Sequence, residues 1–65
     1  MSELEKALLI LKTAAENERR GHHFFIEAAQ ITSNPKGNEM FVFLGDEEIK
    51  HMKLLAVEIK SLEEG

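Results

Sequence analysis

Three side chains in this chain of 65 residues have the types and spacing to hold a metal ion: Glu18, and Glu48 with His51 one helical turn after it. Carboxylate oxygens and an imidazole nitrogen together suit iron, manganese or zinc. The Glu-x-x-His spacing puts both side chains on one helix face, because residues three apart are neighbours there. That motif is short and common, so its meaning depends on where Glu18 lies. His22 follows Glu18 by one turn on the same face and is a candidate to orient a ligand carboxylate by hydrogen bonding. His23 points away and is expected in solvent. Asp46, Glu47 and Glu58 read as surface charges, with Glu47 adjoining the site.

Two helices must position these residues. Turn-forming residues gather at one place, Thr32-Ser33-Asn34-Pro35-Lys36-Gly37-Asn38,. Before it, Ser2-Glu3-Leu4-Glu5 reads as a capping box,. Apolar or small residues then recur at Leu4, Ala7 or Leu8, Leu11, Ala14 or Ala15, Phe25, and Ala28 or Ala29, which is a helical stripe,. Beyond the turn, Pro35 suits the first position of a second helix after an Asn34 or Ser33 cap. Its stripe runs through Phe41, Leu44, Leu55, Ile59 and Leu62. The expected organisation is one domain, with helix 1 over about residues 3–31, a turn over 32–37 and helix 2 from about 35 to 63, each helix roughly 40 Å long.

In an antiparallel hairpin, residues equally far from the turn face each other. With the turn centred on Ser33, Leu4 pairs with Leu62, Leu11 with Leu55 and Phe25 with Phe41. These rungs recur every seven residues, as a seam between packed helices requires. The rung left over joins Glu18 to Glu48. His51 falls opposite Ala14 and Ala15, whose small side chains leave room for a ring. Gly21 and Gly45 form a further matched pair, which predicts close helix approach or an opening for a small substrate. Phe24, Phe25, Phe41 and Phe43 read as core.

Burying bare carboxylates costs on the order of several kcal/mol each. They survive when protonated, paired with cations or bound to metal, and no Lys or Arg falls near them on the stripe. Metal is the best remaining compensation. Further apolar residues beside the seam (Leu9, Ile10, Phe24, Val42, Ile49, Met52) exceed what one hairpin can cover. A second copy, packed as a four-helix bundle, would bury them. It would also double the ligands to four carboxylates and two imidazoles, whose charge two divalent cations balance.

Composition narrows the alternatives. The net charge of -4 argues against nucleic acid and anionic membrane as partners,. The absence of Cys excludes disulfides, zinc–thiolate and iron–sulfur sites,. No apolar run reaches the roughly 20 residues of a membrane span and no signal-peptide pattern opens the chain, so a soluble cytoplasmic protein is expected. So short a chain needs help from metal or self-association.

The run Glu18-Arg-Arg-Gly-His-His-Phe-Phe-Ile-Glu-Ala-Ala resembles the first-helix pattern of rubrerythrin-like proteins in the ferritin-like di-iron carboxylate family. Asn34-Pro35, followed by Phe41-x-Phe43-Leu44-x-x-Glu47-Glu48-x-x-His51, is similar to their second helix. The resemblance covers roughly residues 5–62. It implies a ferritin-like bundle made by dimerisation of a half-length chain and two iron ions per dimer, with manganese or zinc as substitutes. Glu18 would be a terminal or chelating ligand, Glu48 a bridge and His51 a cap. The implied activity is that of an oxidoreductase, which oxidises ferrous iron or reduces oxygen or peroxide. Rubrerythrins proper carry both halves in one chain, an added carboxylate ligand, a Cys-bound iron and Tyr near the metals. Here Phe24 and Phe25 stand at the aromatic positions, so the resemblance implies a separate electron donor. Encapsulated ferritins, which build a ferroxidase site between two-helix subunits, share the half-length pattern. A structural or protein-interaction bundle, with or without metal, is the reading from a different class.

Overall fold

The computed structural model describes residues Met1–Gly65 as two helices, α1 over Glu3–Ile31 and α2 over Pro35–Glu64. They lie antiparallel as a rod 48 Å long and 18 Å by 10 Å across. The capping box starts α1: the Glu5 amide donates to Ser2 Oγ at 3.1 Å and the Ser2 amide to Glu5 Oε1 at 3.2 Å. The connection is shorter than the 32–37 stretch of turn-forming residues, because Pro35 already opens α2 and leaves three residues, Thr32 to Asn34, between the helices.

Each turn residue has a local task. Asn34 caps α2 by accepting the Gly37 amide at 2.9 Å. Thr32 Oγ1 donates to the Ala28 carbonyl at 2.6 Å, and Asn38 Nδ2 reaches back to the Ala29 carbonyl at 2.6 Å. The first satisfies a carbonyl that the end of α1 would otherwise leave free, and the second adds to the Thr32 amide that already meets Ala29 at 3.3 Å,. At the far end of the rod the Lys12 ammonium meets Glu63 Oε2 at 3.1 Å, so both chain ends lie together, opposite the turn.

The inter-helix seam is heptad-spaced on both helices. On α1 it takes Leu8, Leu11, Ala15, Glu18, His22, Phe25 and Ala29; on α2, Asn38, Phe41, Gly45, Glu48, Met52, Leu55, Ile59 and Leu62. All of these are half-buried or buried. Phe25 stacks on Phe41 with ring centres 6.4 Å apart. Leu4, expected on the outermost rung, is 47% exposed because the seam stops at Leu8. Only Ala29 and Gly45 are fully buried in the single chain.

Two of the aromatics expected in the core are not there. Phe24 is 65% exposed and Phe43 59%, on the flanks of their helices. Leu9, Ile10, Leu54 and Val57 are exposed as well. A lone hairpin has one seam, and side chains a quarter-turn away from it find no partner within the chain. The apolar surface left open marks the protein for association with another chain.

Candidate metal centre

Glu18 stands midway along α1, and Glu48 and His51 stand midway along α2. One ligand atom from each of the three lies within 4.8 Å of the others. His51 Nδ1 is 3.2 Å from Glu18 Oε2. Donor atoms sharing one ion at bonds of about 2.1 Å lie no more than about 4.2 Å apart, so a shift of roughly half an ångström in flexible carboxylates would seat a cation. The donor set fits the first-row divalent metals expected of it. The Glu18 side chain is 28% exposed and that of His51 52%, which leaves the cluster open on one side of the rod.

His51 was expected opposite Ala14 and Ala15, yet it touches Glu18. Side chains on an α-helix lean toward its N-terminus. On α1 that lean runs away from the turn, and on α2 toward it. Long side chains therefore meet partners about one residue further along on each helix than the backbone ladder suggests. The same lean brings Glu48 over Gly21.

The two carboxyls divide one proton unequally. Glu18 is held below the ordinary carboxylate value by a hydrogen bond with Glu48, and next by one with His51. Glu48 is pushed up by that bond to Glu18, by burial, and by the Glu18 charge. Of the two, Glu48 is therefore the one that holds a proton more readily and donates it to Glu18, while Glu18 also lies in hydrogen-bond contact with His51. Neither carboxyl has a Lys or Arg partner. The basic residues of α1 are engaged elsewhere, Arg19 Nε lying 2.9 Å from Glu16 Oε2. That pairing lowers Glu16 to about 2.

Glycine makes the close packing around the site achievable. A Cβ on Gly21 would lie 3.0 Å from Glu48 Oε2 and 3.1 Å from its Cδ. One on Gly45 would lie 3.0 Å from Ile26 Cδ1 and 3.6 Å from His22 Nδ1. Both spaces are filled by side chains, so the matched glycines serve close approach rather than an opening.

His22, expected to orient a carboxylate, instead places Nδ1 2.9 Å from the Gly45 carbonyl oxygen. A carbonyl only accepts, so Nδ1 carries the proton, and the ring anchors α2 beside the site. Its proximity still lowers Glu48 slightly, against the larger effects that raise it. His23 is exposed and meets His22 edge to face at 5.6 Å. Glu47 pairs with Lys50 at 3.0 Å and takes no part in the cluster; Asp46 and Glu58 are exposed. Sequence reasoning missed Asn38, whose bond to Ala29 locks the turn; an amide at a seam position next to the turn was the available signal.

No helix is long and apolar enough to cross a membrane. The chain is therefore an all-α antiparallel hairpin bearing a Glu/Glu/His cluster at mid-length, and no family model, curated protein or solved structure matches it.

Proposed function

We propose that two copies of the hairpin close face to face into a ferritin-like four-helix bundle, and that Glu18, Glu48 and His51 of each chain hold a pair of iron ions between them. In this reading the protein is a rubrerythrin-like oxidoreductase that oxidises ferrous iron or reduces oxygen or peroxide. The observation that carries it is the convergence of three donor atoms from two helices within 4.8 Å of one another, in a cluster open to solvent at His51. Four carboxylates from two chains balance the charge of two divalent cations, and two imidazoles complete the set.

Bound as a pair, the iron ions supply the one-electron steps. The remaining work falls to side chains. By the resemblance, Glu48 would serve as the shared ligand, losing any proton it holds to solvent as cations enter, with Glu18 as a terminal ligand and His51 as a capping one. His22 holds the backbone of α2 in place through the Gly45 carbonyl. Phe25 stacks on Phe41 in the seam on the turn side of the site. If the protein oxidises ferrous iron, the ferrous ions supply the electrons; if it reduces oxygen or peroxide catalytically, a separate donor would have to supply them. Manganese or zinc would occupy the same ligands.

The test is metal content after anaerobic reconstitution with ferrous iron, read together with the mass in solution. About one iron per chain in a dimer or larger assembly, followed by oxygen or peroxide consumption, is the expected result. A folded dimer that binds no metal would sink the redox reading. One observation favours a second reading, a structural or interaction bundle: Glu48, Glu18 and His51 satisfy one another through a shared proton and hydrogen bonds without any cation.

A further inference from the structure

His22, one turn after Glu18, bonds to a backbone carbonyl of the other helix rather than to a carboxylate. Its Nδ1–H donates to the Gly45 oxygen at 2.9 Å. A carbonyl has two lone pairs, so this oxygen can take the ring in addition to its own helix bond. A bond to a backbone atom fixes the helix itself, whereas a bond between two long side chains leaves both stems free to move.

Few other directional contacts set how far α2 stands along α1. Apart from the cluster, side-chain hydrogen bonds cross between the helices at Lys12–Glu63, Asn38–Ala29 and His22–Gly45. The first is an exposed ion pair at the open end of the rod, and such pairs hold little,. The second belongs to the turn. Beside the cluster α1 presents Ala14, Ala15 and Gly21, whose side chains are too short to key into α2 and resist sliding.

The His22 bond and the seat of Glu48 share the same turns of backbone. Glu48 lies over Gly21, its Oε2 3.0 Å from the point where a Cβ would stand, and His22 is the next residue. The His22 ring lies over Gly45, Nδ1 3.6 Å from the corresponding point, and Glu48 follows one turn later. Each helix thus sends a side chain into the space left by a glycine of the other. Sliding α2 by one residue is a movement of about 1.5 Å. It would carry Glu48 off Gly21 and His51 away from Glu18 together.

We infer that His22 is a positioning residue for the cluster: through the Gly45 carbonyl it sets the register of α2, and with it the place of Glu48, without itself binding the cation. This rests on the metal reading proposed above and adds to it a residue outside the ligand set.

Two substitutions of nearly equal shape separate the donor from the packing. His22→Leu removes the donor and leaves an apolar side chain in the seam, so the chain should fold at least as well as the parent. His22→Asn puts an N–H back at the same number of bonds from the backbone, because Asn Nδ2 and His Nδ1 are both attached to Cγ. In the metal-free protein, a nuclear Overhauser contact between Gly21 Hα and Glu48 Hγ is expected for the parent and His22→Asn and is expected to be lost in His22→Leu. Manganous ion should bind His22→Leu about 10–100-fold more weakly than the parent, and His22→Asn within about threefold of it. The visible spectrum of bound cobaltous ion, which reports the ligands, should be the same for His22→Asn and the parent. A changed spectrum would make His22 a ligand, and equal affinity in all three proteins would leave its bond without effect on the cluster. Equally weak binding by both variants would assign the effect to the ring rather than to its donor. Each of these results overturns the inference. Should the parent bind no cation, the metal reading falls, and the Gly21–Glu48 contact still decides the register: its persistence in His22→Leu would remove the positioning role as well.

Discussion

Gly21→Ala separates the needs of the fold from those of the cluster, because the two respond with opposite sign. In a helix interior, Ala is favoured over Gly by about 1 kcal/mol. The added Cβ would stand 3.0 Å from Glu48 Oε2 and 3.5 Å from Glu48 Cγ, which displaces that carboxylate by a few tenths of an ångström. The displaced group is the end of a flexible side chain, so moving it costs little of the helix gain. Without metal the variant should melt higher, by up to about 4–8 °C for a domain of this size. Its affinity for ferrous or manganous ion should fall, because Glu48 can no longer reach its place beside Glu18 and His51. Thermal melts monitored by circular dichroism and metal titrations, both at one chain concentration, read the two effects. Gly45→Ala is the control: its Cβ presses on Ile26, 3.0 Å from Cδ1 and 3.4 Å from Cγ1, inside the seam, and should give less stabilisation. A Gly21→Ala protein that binds cations as tightly as the parent would remove Glu48 from the ligand set. One that melts lower would show that a group other than the Glu48 carboxylate occupies the space beside Gly21.

Glu48→Gln keeps the shape and the hydrogen bond to Glu18, so the metal-free protein should stay helical while stoichiometric metal binding is lost; retained stoichiometry by elemental analysis would contradict this. Because Glu48 is raised, the metal-free fold holds a proton there that the unfolded chain releases. This contribution to stability is complete below the ordinary value of 4.5 and drains away as pH rises through the folded value,. A cation must displace the same proton, so affinity should climb with pH until Glu48 has ionised and then level off, with proton release visible by calorimetry in buffers of different ionisation heat. Glu16, lowered to about 2, works with the opposite sign: its support of α1 is present above 4.5 and is lost between there and about 2, which Glu16→Gln should abolish in acid titrations of helix content. Asn34→Ala removes the cap on α2 and should destabilise by about 1 kcal/mol in urea melts, with metal stoichiometry unchanged.

Much of this architecture can be read from residue types alone. The turn is legible because Asn34, Pro35 and Gly37 have few other uses, and the seam because heptads at Leu11, Glu18 and Phe25 mirror those at Phe41, Glu48 and Leu55. What escapes is whatever depends on direction or on backbone groups. His51 meets Glu18 rather than Ala15 because side chains lean along the helix, an offset that counting from Ser33 ignores. The partner of His22 is the Gly45 carbonyl, and backbone acceptors leave no mark in a pattern of side chains. Phe24 and Phe43 look like core because an apolar residue carries no label saying which chain it packs against.

Both chain ends lie together at the end of the rod remote from the turn. If a second copy packed with its turn at the opposite end, the last residue of one chain would stand about 48 Å from the first residue of the other. At about 3.4 Å per extended residue, a single polypeptide holding both halves needs a connector of at least about 14 residues running the length of the bundle. A head-to-tail repeat of this sequence with a short joint could not close on itself in that direction, and its halves would have to pair between molecules. In that packing, merging two such hairpins into one gene would be a two-part change, duplication together with a long crossover, whereas separate chains would need no connector.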